Sequence, residues 1–266
     1  DNSHTPATTS VTATKIWDDS DNQDGIRADV TLRLAKTVDG VTSVVDGQEK
    51  TISATATGDD LTVTWTNLPA YESGSKITYS VTEDAIEGYS ASITSIAVDD
   101  GTLVTITNIH TPEVTSATAA KVWDDNDDQD GIRPASVTLQ LQKSVGGAAA
   151  VDVEGMTLTL EADNKWTGTI SDLPAYEGGE AVTYSFVETS VPEGYTSSYS
   201  EDGLTVTNTH TPETTSVSGT KVWDDNSNQD GKRTDSVTLQ LRKTVDGVAS
   251  DVEGKTLTLD ADNKWT

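Results

Sequence analysis

The sequence contains no cysteine. A disulfide framework, a cysteine-based zinc site and a thiol nucleophile are therefore excluded. Aromatic residues are also scarce, at 5% of the chain with a single Phe, and the hydrophobic fraction is only 33%. Each hydrophobic core must be small. Because small extracellular domains usually need covalent staples, a secreted chain of this composition must gain its stability in another way.

Basic residues are few: 17 Lys and Arg stand against 44 Asp and Glu, which gives a formal net charge of −27. Nucleic-acid binding needs Lys and Arg against the phosphates, so we expect neither nucleic acid nor an anionic membrane surface as a partner. No apolar run is long enough to cross a bilayer. The chain begins at Asp1 without a signal peptide, and we expect it to be part of a longer protein.

The chain does contain a long internal repeat. The motif Lys-x-Trp-Asp-Asp begins at Lys15, Lys121 and Lys221, and each copy is followed by Gln-Asp-Gly and then by an Arg. The ending Thr-Asn-x-His-Thr-Pro occurs at residues 107–112 and 207–212. The lysines that begin successive copies of the first motif lie 106 and 100 residues apart. This period is too long for a solenoid unit and has the size of an independent β-sandwich.

These motifs divide the chain into four parts. We predict the tail of a preceding repeat at residues 1–6, a first repeat at 7–112, a second repeat at 113–212 and a truncated third repeat at 213–266. An insertion near residues 96–102 distinguishes the first repeat. The linkers at Pro112 and Pro212 are very short, and Pro restricts the backbone, so we expect a rod-like array.

Alternating apolar and polar residues dominate the sequence and indicate strands. Val30, Leu32 and Leu34 alternate with polar neighbours, and residues 137–141 repeat the pattern. Clusters of Gly, Asp and Asn separate such segments, as turns require. The prediction is an all-β chain of tandem Ig-like β-sandwich domains with about seven strands each.

Three polar residues of each complete repeat fall on apolar strand faces. Lys15 shares a face with Val11 and Ala13, while Glu83 and Asn108 lie on the apolar faces of two other strands. The equivalents in the second repeat are Lys121, Glu188 and Asn208. A buried Lys is rare unless it is paired or functional. The alternative is that the lysines are surface residues with snorkelling stems and the asparagines are turn residues.

These motifs together resemble a known family, the collagen-adhesin B-type (Cna B-type) repeats of Gram-positive cell-surface proteins. The matching pieces are Lys-x-Trp-Asp-Asp, Gln-Asp-Gly-x-Arg, the Tyr-x-(Val/Phe)-x-Glu strand, the following Gly-Tyr and the Thr-Asn-x-His-Thr-Pro ending. They fall in order twice and cover nearly the whole chain. The resemblance implies an extracellular protein attached to the cell wall of a Gram-positive bacterium.

The resemblance also implies spontaneous isopeptide bonds inside each complete repeat. Lys15 would join Asn108 and Lys121 would join Asn208, with Glu83 and Glu188 as catalytic acids. Burial lowers the pKa of a Lys and raises that of a Glu, so a neutral amine attacks while a protonated Glu polarises the Asn carbonyl. Each domain would react once, without turnover on external substrates. Lys221 and Asn2 would be unpaired equivalents.

The acidic loop after the Trp raises the question of calcium. Asn126, Asp128 and Asp130 occupy alternate positions before Gly131, as in a calcium loop, but Val137 replaces the bidentate Glu at the twelfth position. Asp and Asn are also ordinary turn residues. We favour a turn braced by Arg27 or Arg133 and expect no cofactor, with calcium as the alternative.

The aromatic residues are interpreted as core. Two sets of tryptophans are taken to be equivalent between repeats, namely Trp17, Trp123 and Trp223, and Trp65, Trp166 and Trp265. Repetition favours a core over a carbohydrate-binding platform. The histidines His4, His110 and His210 lie at predicted strand ends and form no catalytic triad with neighbouring residues.

The leading functional interpretation is a structural stalk that holds a distal adhesive domain away from the cell wall. Its direct partners would be adjacent repeats of the same chain, and the host surface would be reached through other domains. The alternative is a module whose loops bind host extracellular matrix. Loops that bind ligands usually differ between copies, whereas these are near copies, which favours the stalk. No site for an enzyme acting on external substrates is visible.

Overall fold

The computed structural model describes residues 3–266, so the prediction for Asn2 lies outside the described residues. The chain divides into two compact units, Asp1–Thr211 and Pro212–Thr266. Strands dominate both units, and the prediction of an all-β chain of tandem sandwiches is confirmed. Within residues 3–266, no helix has the length and apolar character needed to cross a bilayer.

The first repeat is a sandwich of two sheets with seven main strands. One sheet has the order β4-β1-β9-β8, the other has the order β3-β2-β7, and β5 and β6 form a two-residue hairpin. A 3-10 turn at Gly58–Leu61 precedes β4. The strands are β1 (Thr8–Asp18), β2 (Val30–Val38), β3 (Val41–Ile52), β4 (Thr62–Pro69), β5 (Tyr71–Glu72), β6 (Ser75–Lys76), β7 (Thr78–Glu83), β8 (Ser90–Val98) and β9 (Gly101–Ile109).

The second repeat has the same architecture. Its sheets have the orders β13-β10-β17-β16 and β12-β11-β15-β14. The strands are β10 (Val114–Asp124), β11 (Ser136–Val145), β12 (Val151–Glu161), β13 (Thr167–Pro174), β14 (Tyr176–Glu177), β15 (Glu180–Glu188), β16 (Thr196–Tyr199) and β17 (Thr205–Thr209).

The first and last strands of each repeat are parallel neighbours. In the first repeat, β1 pairs with β9 from Ser10 opposite Gly101 to Asp18 opposite Ile109. In the second, β10 pairs with β17 only from Ala120 opposite Thr205 onwards. The insertion near residues 96–102 thus lengthens the β8–β9 hairpin. Because parallel strands run in the same direction, the chain enters each repeat at one end and leaves it at the other.

The core of the first repeat lies between its two sheets. Alternation places Val11 and Ala13 of β1 against Leu32 and Leu34 of β2, all of them fully buried. Trp65 is 2% exposed, and its indole N–H donates to the carbonyl of Gln48 at 2.7 Å. Burial of each large apolar side chain contributes about 1.5–3 kcal/mol. The same alternation builds the second core, where Ala117 and Ala119 take the β1-type positions.

One predicted equivalence is wrong. Val11 lies opposite Trp65, whereas the corresponding Ala117 lies opposite Ile170. The true counterpart of Trp65 is therefore Ile170, and Trp166 precedes β13 in a turn with φ of 58°. The spacing of motifs brought the two tryptophans together, but strand register decides which residues are equivalent.

The second unit contains one antiparallel hairpin, β18 (Ser236–Val245) with β19 (Val248–Asp260). No strand is assigned between residues 211 and 224 of the described chain. Lys221 N–H donates to the carbonyl of Trp265 at 2.9 Å, as Lys121 N–H does to Trp166 at 2.8 Å. Apart from this one bond to Trp265, residues 212–266 contain no counterparts of β13 and β17 that could pair with the segment around Lys221.

Candidate functional site

Three strands from two sheets bring one Lys, one Asn and one Glu together in the first repeat. In the parallel pair, Lys15 lies opposite Ile106 and Trp17 opposite Asn108. Since side chains alternate along strands, Lys15 and Asn108 point into the same side of the sheet. Glu83 ends β7 in the facing sheet. The cluster therefore bridges the two layers of the sandwich.

The cluster of the first repeat is buried. Lys15 and Asn108 are each 1% exposed, and the side chain of Glu83 is 2% exposed. Asn108 Nδ2 donates to Glu83 Oε1 at 2.6 Å, and Lys15 Nζ lies 4.0 Å from Glu83 Oε2. Lys15 Nζ also donates to the carbonyl of Ile16 at 3.1 Å. One carboxyl group thus contacts both the amine and the amide.

The second repeat reproduces this geometry. Lys121, Glu188 and Asn208 are all buried. Asn208 Nδ2 donates to Glu188 Oε1 at 3.1 Å, and Lys121 Nζ lies 3.9 Å from the same oxygen. The register again sets the face, because Lys121 lies opposite Val206 and Trp123 opposite Asn208.

Several polar atoms of these clusters have no hydrogen-bond partner among the described residues. They are Glu83 Oε2, Asn108 Oδ1, Lys121 Nζ, Glu188 Oε2 and Asn208 Oδ1. An unsatisfied buried polar group costs about 1–3 kcal/mol. Each cluster therefore holds an amine, a carboxyl group and an amide together without satisfying all of their polar atoms.

Burial also shifts the amines towards their neutral form. Desolvation lowers the pKa of Lys15 and of Lys121 to about 8, although the neighbouring carboxyl groups oppose the change. Desolvation raises the pKa of Glu188, against the opposing effects of Lys121 and Asn208. A neutral amine is a nucleophile and a protonated carboxyl group is a general acid. In the second repeat, burial thus shifts both side chains towards the protonation states that amide formation needs.

Aromatic rings cover the amines. Lys15 Nζ lies 4.2 Å from the ring centroid of Trp17, and Lys121 Nζ lies 4.5 Å from that of Trp123. Tyr89 packs edge-on against Trp17, with centroids 5.0 Å apart. The indole N–H groups of Trp17 and Trp123 are buried without a partner among the described residues. These rings exclude water from the clusters.

A buried carboxylate beside each cluster was missed by the sequence analysis. Asp19 is 2% exposed and accepts two hydrogen bonds from Arg27, at 2.7 and 2.6 Å, and one from the hydroxyl of Tyr89 at 2.8 Å. Burial opposes its charge, but these bonds and the N–H of Asn22 outweigh burial and lower its pKa to about 2. Asp125 in the second repeat makes the same contacts. The doubled Asp after each Trp was the available signal.

The acidic loops form braced turns. Asp128 Oδ1 accepts the N–H of Arg133 at 2.9 Å, Asn126 Nδ2 donates to Gln129, and Asp130 pairs with His210 at 2.9 Å. In residues 3–266, no group of three or more acidic or His side chains is arranged to hold a metal ion. The calcium alternative gains no support from this geometry, and the Arg133–Asp125 pair is the brace of the turn.

Lys221 is placed differently from Lys15 and Lys121. Lys221 is only partly buried. Its Nζ donates to the carbonyl of Val222 at 2.8 Å and lies 4.1 Å from the ring centroid of Trp223.

Comparison with known proteins identifies the family. The model of the Cna protein B-type domain matches residues 11–109, 117–209 and 217–266. The chain belongs to this family. It is 39% identical over 269 residues to a collagen adhesin of Staphylococcus aureus, covering 99% of this chain and 20% of that protein. The chain thus spans about a fifth of the length of this curated relative.

A solved structure supports the Cna B-type assignment. The crystal structure of two B repeat units of the collagen binding protein of Staphylococcus aureus is 36% identical, with a TM-score of 0.62. The match covers 98% of this chain and 64% of that one. The predicted resemblance to Cna B-type repeats is therefore confirmed at the level of sequence and of fold.

Proposed function

We propose that this chain is a segment of a surface stalk whose two complete Cna B-type repeats cross-link themselves through Lys15–Asn108 and Lys121–Asn208 isopeptide bonds. The observation that carries the proposal is the buried contact of one amine, one carboxyl group and one primary amide, found twice. The role of each side chain follows from its chemistry and its contacts.

The reaction balances without any co-reactant. The neutral Lys Nζ attacks the Asn Cγ, while the Glu carboxyl group protonates the amide oxygen. The Cγ–Nδ2 bond breaks, the proton released from Nζ goes to the departing nitrogen through the Glu, and ammonia leaves. The proton on the oxygen returns to the Glu as the carbonyl re-forms. Each new secondary amide lowers the mass by one ammonia, about 17 Da. Folding supplies the proximity that makes this slow aminolysis fast enough to occur once.

The position of the bond would let it carry a pulling force applied to the two ends of the repeat. Lys15 lies on the entering strand β1 and Asn108 near the end of the leaving strand β9, and these strands are parallel neighbours. A covalent link there carries tension from one strand to the other and bypasses residues 16–107. By analogy with a disulfide that closes a loop on the order of 100 residues, it would stabilise the fold by about 4–5 kcal/mol.

The stalk interpretation places the chain outside the cell, in an array of similar repeats. Its relative is a collagen adhesin of Staphylococcus aureus, in line with a Gram-positive cell surface and attachment to the wall. Contact with host matrix would then belong to other parts of the parent protein. No feature of residues 3–266 favours a ligand-binding module over the stalk.

The intact mass of the denatured chain tests the cross-links. We expect a deficit of two ammonia molecules for the wild type, one for Glu83→Gln and one for Glu188→Gln. Glu87→Gln, which changes an exposed acid close to Glu83 in sequence, should retain both losses. A wild-type mass equal to that of the sequence would overturn the proposal.

A further inference from the structure

The first and second repeats meet within the first unit through a loop and a turn. Gly179 N–H donates to the carbonyl of Gln23 at 3.0 Å, and Gln23 Nε2 donates to the carbonyl of Glu113 at 3.3 Å. Glu113 N–H in turn donates to Asp24 Oδ2 at 2.8 Å. The loop after β1 therefore binds both the linker and the β14–β15 turn of the next repeat.

Two glycines allow this close contact. Gly25 and Gly179 have φ values of 71° and 84°, in the left-handed region. A Cβ atom on Gly25 would lie 2.4 Å from the Cα of Gly179, far inside van der Waals contact. The joint therefore requires two backbones without side chains at this point.

His110 braces the acid that holds the joint. Its Nδ1 lies 2.9 Å from the carbonyl of Gly88, and its Nε2 lies 2.9 Å from Asp24 Oδ2. A carbonyl and a carboxylate only accept hydrogen bonds, so both ring nitrogens must carry a proton for both bonds to form. The ring is therefore an imidazolium when both of these bonds are formed.

Two carboxylates near His110 favour its charged form. Asp24 and Asp19 come from the segment after β1. The ring of Tyr89, in the β7–β8 connection, lies tilted against the imidazole with the ring centroids 5.4 Å apart. From the second repeat, Glu113 approaches Asp24 through its backbone N–H. The hydrogen bond to Asp24 is the main reason that the pKa of His110 is raised, against a smaller opposing effect of burial.

We propose that the joint between the first and second repeats is a pH-sensitive lock, closed while His110 is protonated and loosened when the ring loses its charge. Loss of the proton removes one of the two ring bonds and the counter-charge of Asp24. The carboxylate is then free to leave the N–H of Glu113 for water. A stalk built this way has a docked joint at acidic pH and a more mobile joint at alkaline pH.

The direction with pH follows from the contacts of the ring, because the protonated His110 holds Asp24 where its Oδ2 accepts the N–H of Glu113. Protonation contributes fully to docking below the ordinary His pKa of 6.5. The contribution falls as the pH rises through the raised value. The opposite order would require a His pKa lowered in the docked state.

The absence of cysteine makes a distance measurement direct. Val44 in the first repeat and Val151 in the second are 54% and 55% exposed, and replacing both by Cys allows a fluorescent donor and acceptor to be attached to the full chain. We expect a narrow distance distribution at about pH 5.5 and a broader, shifted one at about pH 8.5. The labelled His110→Gln variant should give the broad distribution at both pH values.

Matched glycine variants define the open state. Gly25→Ala should give the broad distribution at both pH values, because its Cβ clashes with Gly179. Gly131 holds the same motif position in the second repeat, with φ of 69° and no atom within 4 Å of an added Cβ. Gly131→Ala therefore introduces the same backbone strain without the clash, and it should behave as wild type. His210→Gln is the corresponding control for His110, with equivalent bonds to Asp130 and Gly194.

Two results would overturn the proposal. One is a wild-type distance distribution that does not change between the two pH values while Gly25→Ala differs from it. The other is a pH response that persists in His110→Gln. Neither depends on the isopeptide bonds, which the intact mass of the same labelled samples reports separately.

Discussion

The start of the first repeat and the start of the second unit share a motif but not a structure. Lys15 belongs to an eleven-residue strand and is 1% exposed, whereas Lys221 lies in a segment without an assigned strand. The loops that follow are nearly identical, since Arg233 binds Asp225 at 2.9 and 2.5 Å, as Arg27 binds Asp19. The comparison separates local structure from structure that needs distant partners.

Neighbouring strands account for the difference. In the first repeat, β1 is hydrogen-bonded to β4 on one side and to β9 on the other. In the second unit, β18 and β19 pair only with each other. The Asp–Arg loop closes over eight residues and forms in both places, but a strand at the start of a repeat requires partners from its middle and its end.

The largest expected effect concerns the cross-link itself. Glu83→Gln should remove the Lys15–Asn108 bond and lower the free energy of unfolding of the first repeat by about 4–5 kcal/mol, because the unfolded chain regains the entropy of an open loop. Lys221→Ala should leave the calorimetric transitions of the complete repeats unchanged. Differential scanning calorimetry measures both. Equal transition temperatures for Glu83→Gln and wild type would contradict the expected stabilisation of the first repeat by the cross-link.

Core leucines give the next largest contrast. Leu141 is fully buried, whereas its equivalent Leu241 is 37% exposed. We expect Leu141→Ala to cost about 2–5 kcal/mol through lost burial and a residual cavity. Leu241→Ala should cost less than about 1 kcal/mol, since little contact is lost. Urea unfolding of the full chain followed by circular dichroism tests the pair, and equal costs would contradict the difference in packing.

Acid should weaken the first repeat through Asp19. Its pKa is lowered from 3.8 to about 2, so its contribution is present above the unfolded value and is lost as the pH falls from about 4 towards about 2. Asp19→Asn should flatten this part of the pH profile of stability. The exposed Asp21 provides the control, and Asp21→Asn should leave the slope as in wild type. A wild-type profile without this slope would contradict the assigned role of Asp19.

Much of the fold follows from local sequence. The alternation around Leu32 and Leu34 predicted a buried strand face, and both side chains are fully buried. The same parity argument predicted that Lys15 and Asn108 point inwards, where the structure has them. Alternation is a property of each strand by itself, which is why it can be identified without knowing the neighbours.

Other features depend on residues far apart in the chain. Trp65 and Trp166 were wrongly taken as equivalent because motif spacing does not reveal strand register. The register of the β1–β4 ladder shows which residues correspond. The contacts of Asp19 with Tyr89, and of Asp24 with His110, join residues 70 and 86 positions apart. No short pattern encodes these distances.

The sequence by itself determined the repeat, the all-β class and the identities of the residues that face the cores, because these depend on periodicity and composition. Only the tertiary structure decided that Lys15, Glu83 and Asn108 meet across two sheets, and that Gly25 meets Gly179 at the joint. The physical reason is that strand register and sheet packing are set by contacts between distant segments. The register of a single strand is undetermined until its partner strand is in place.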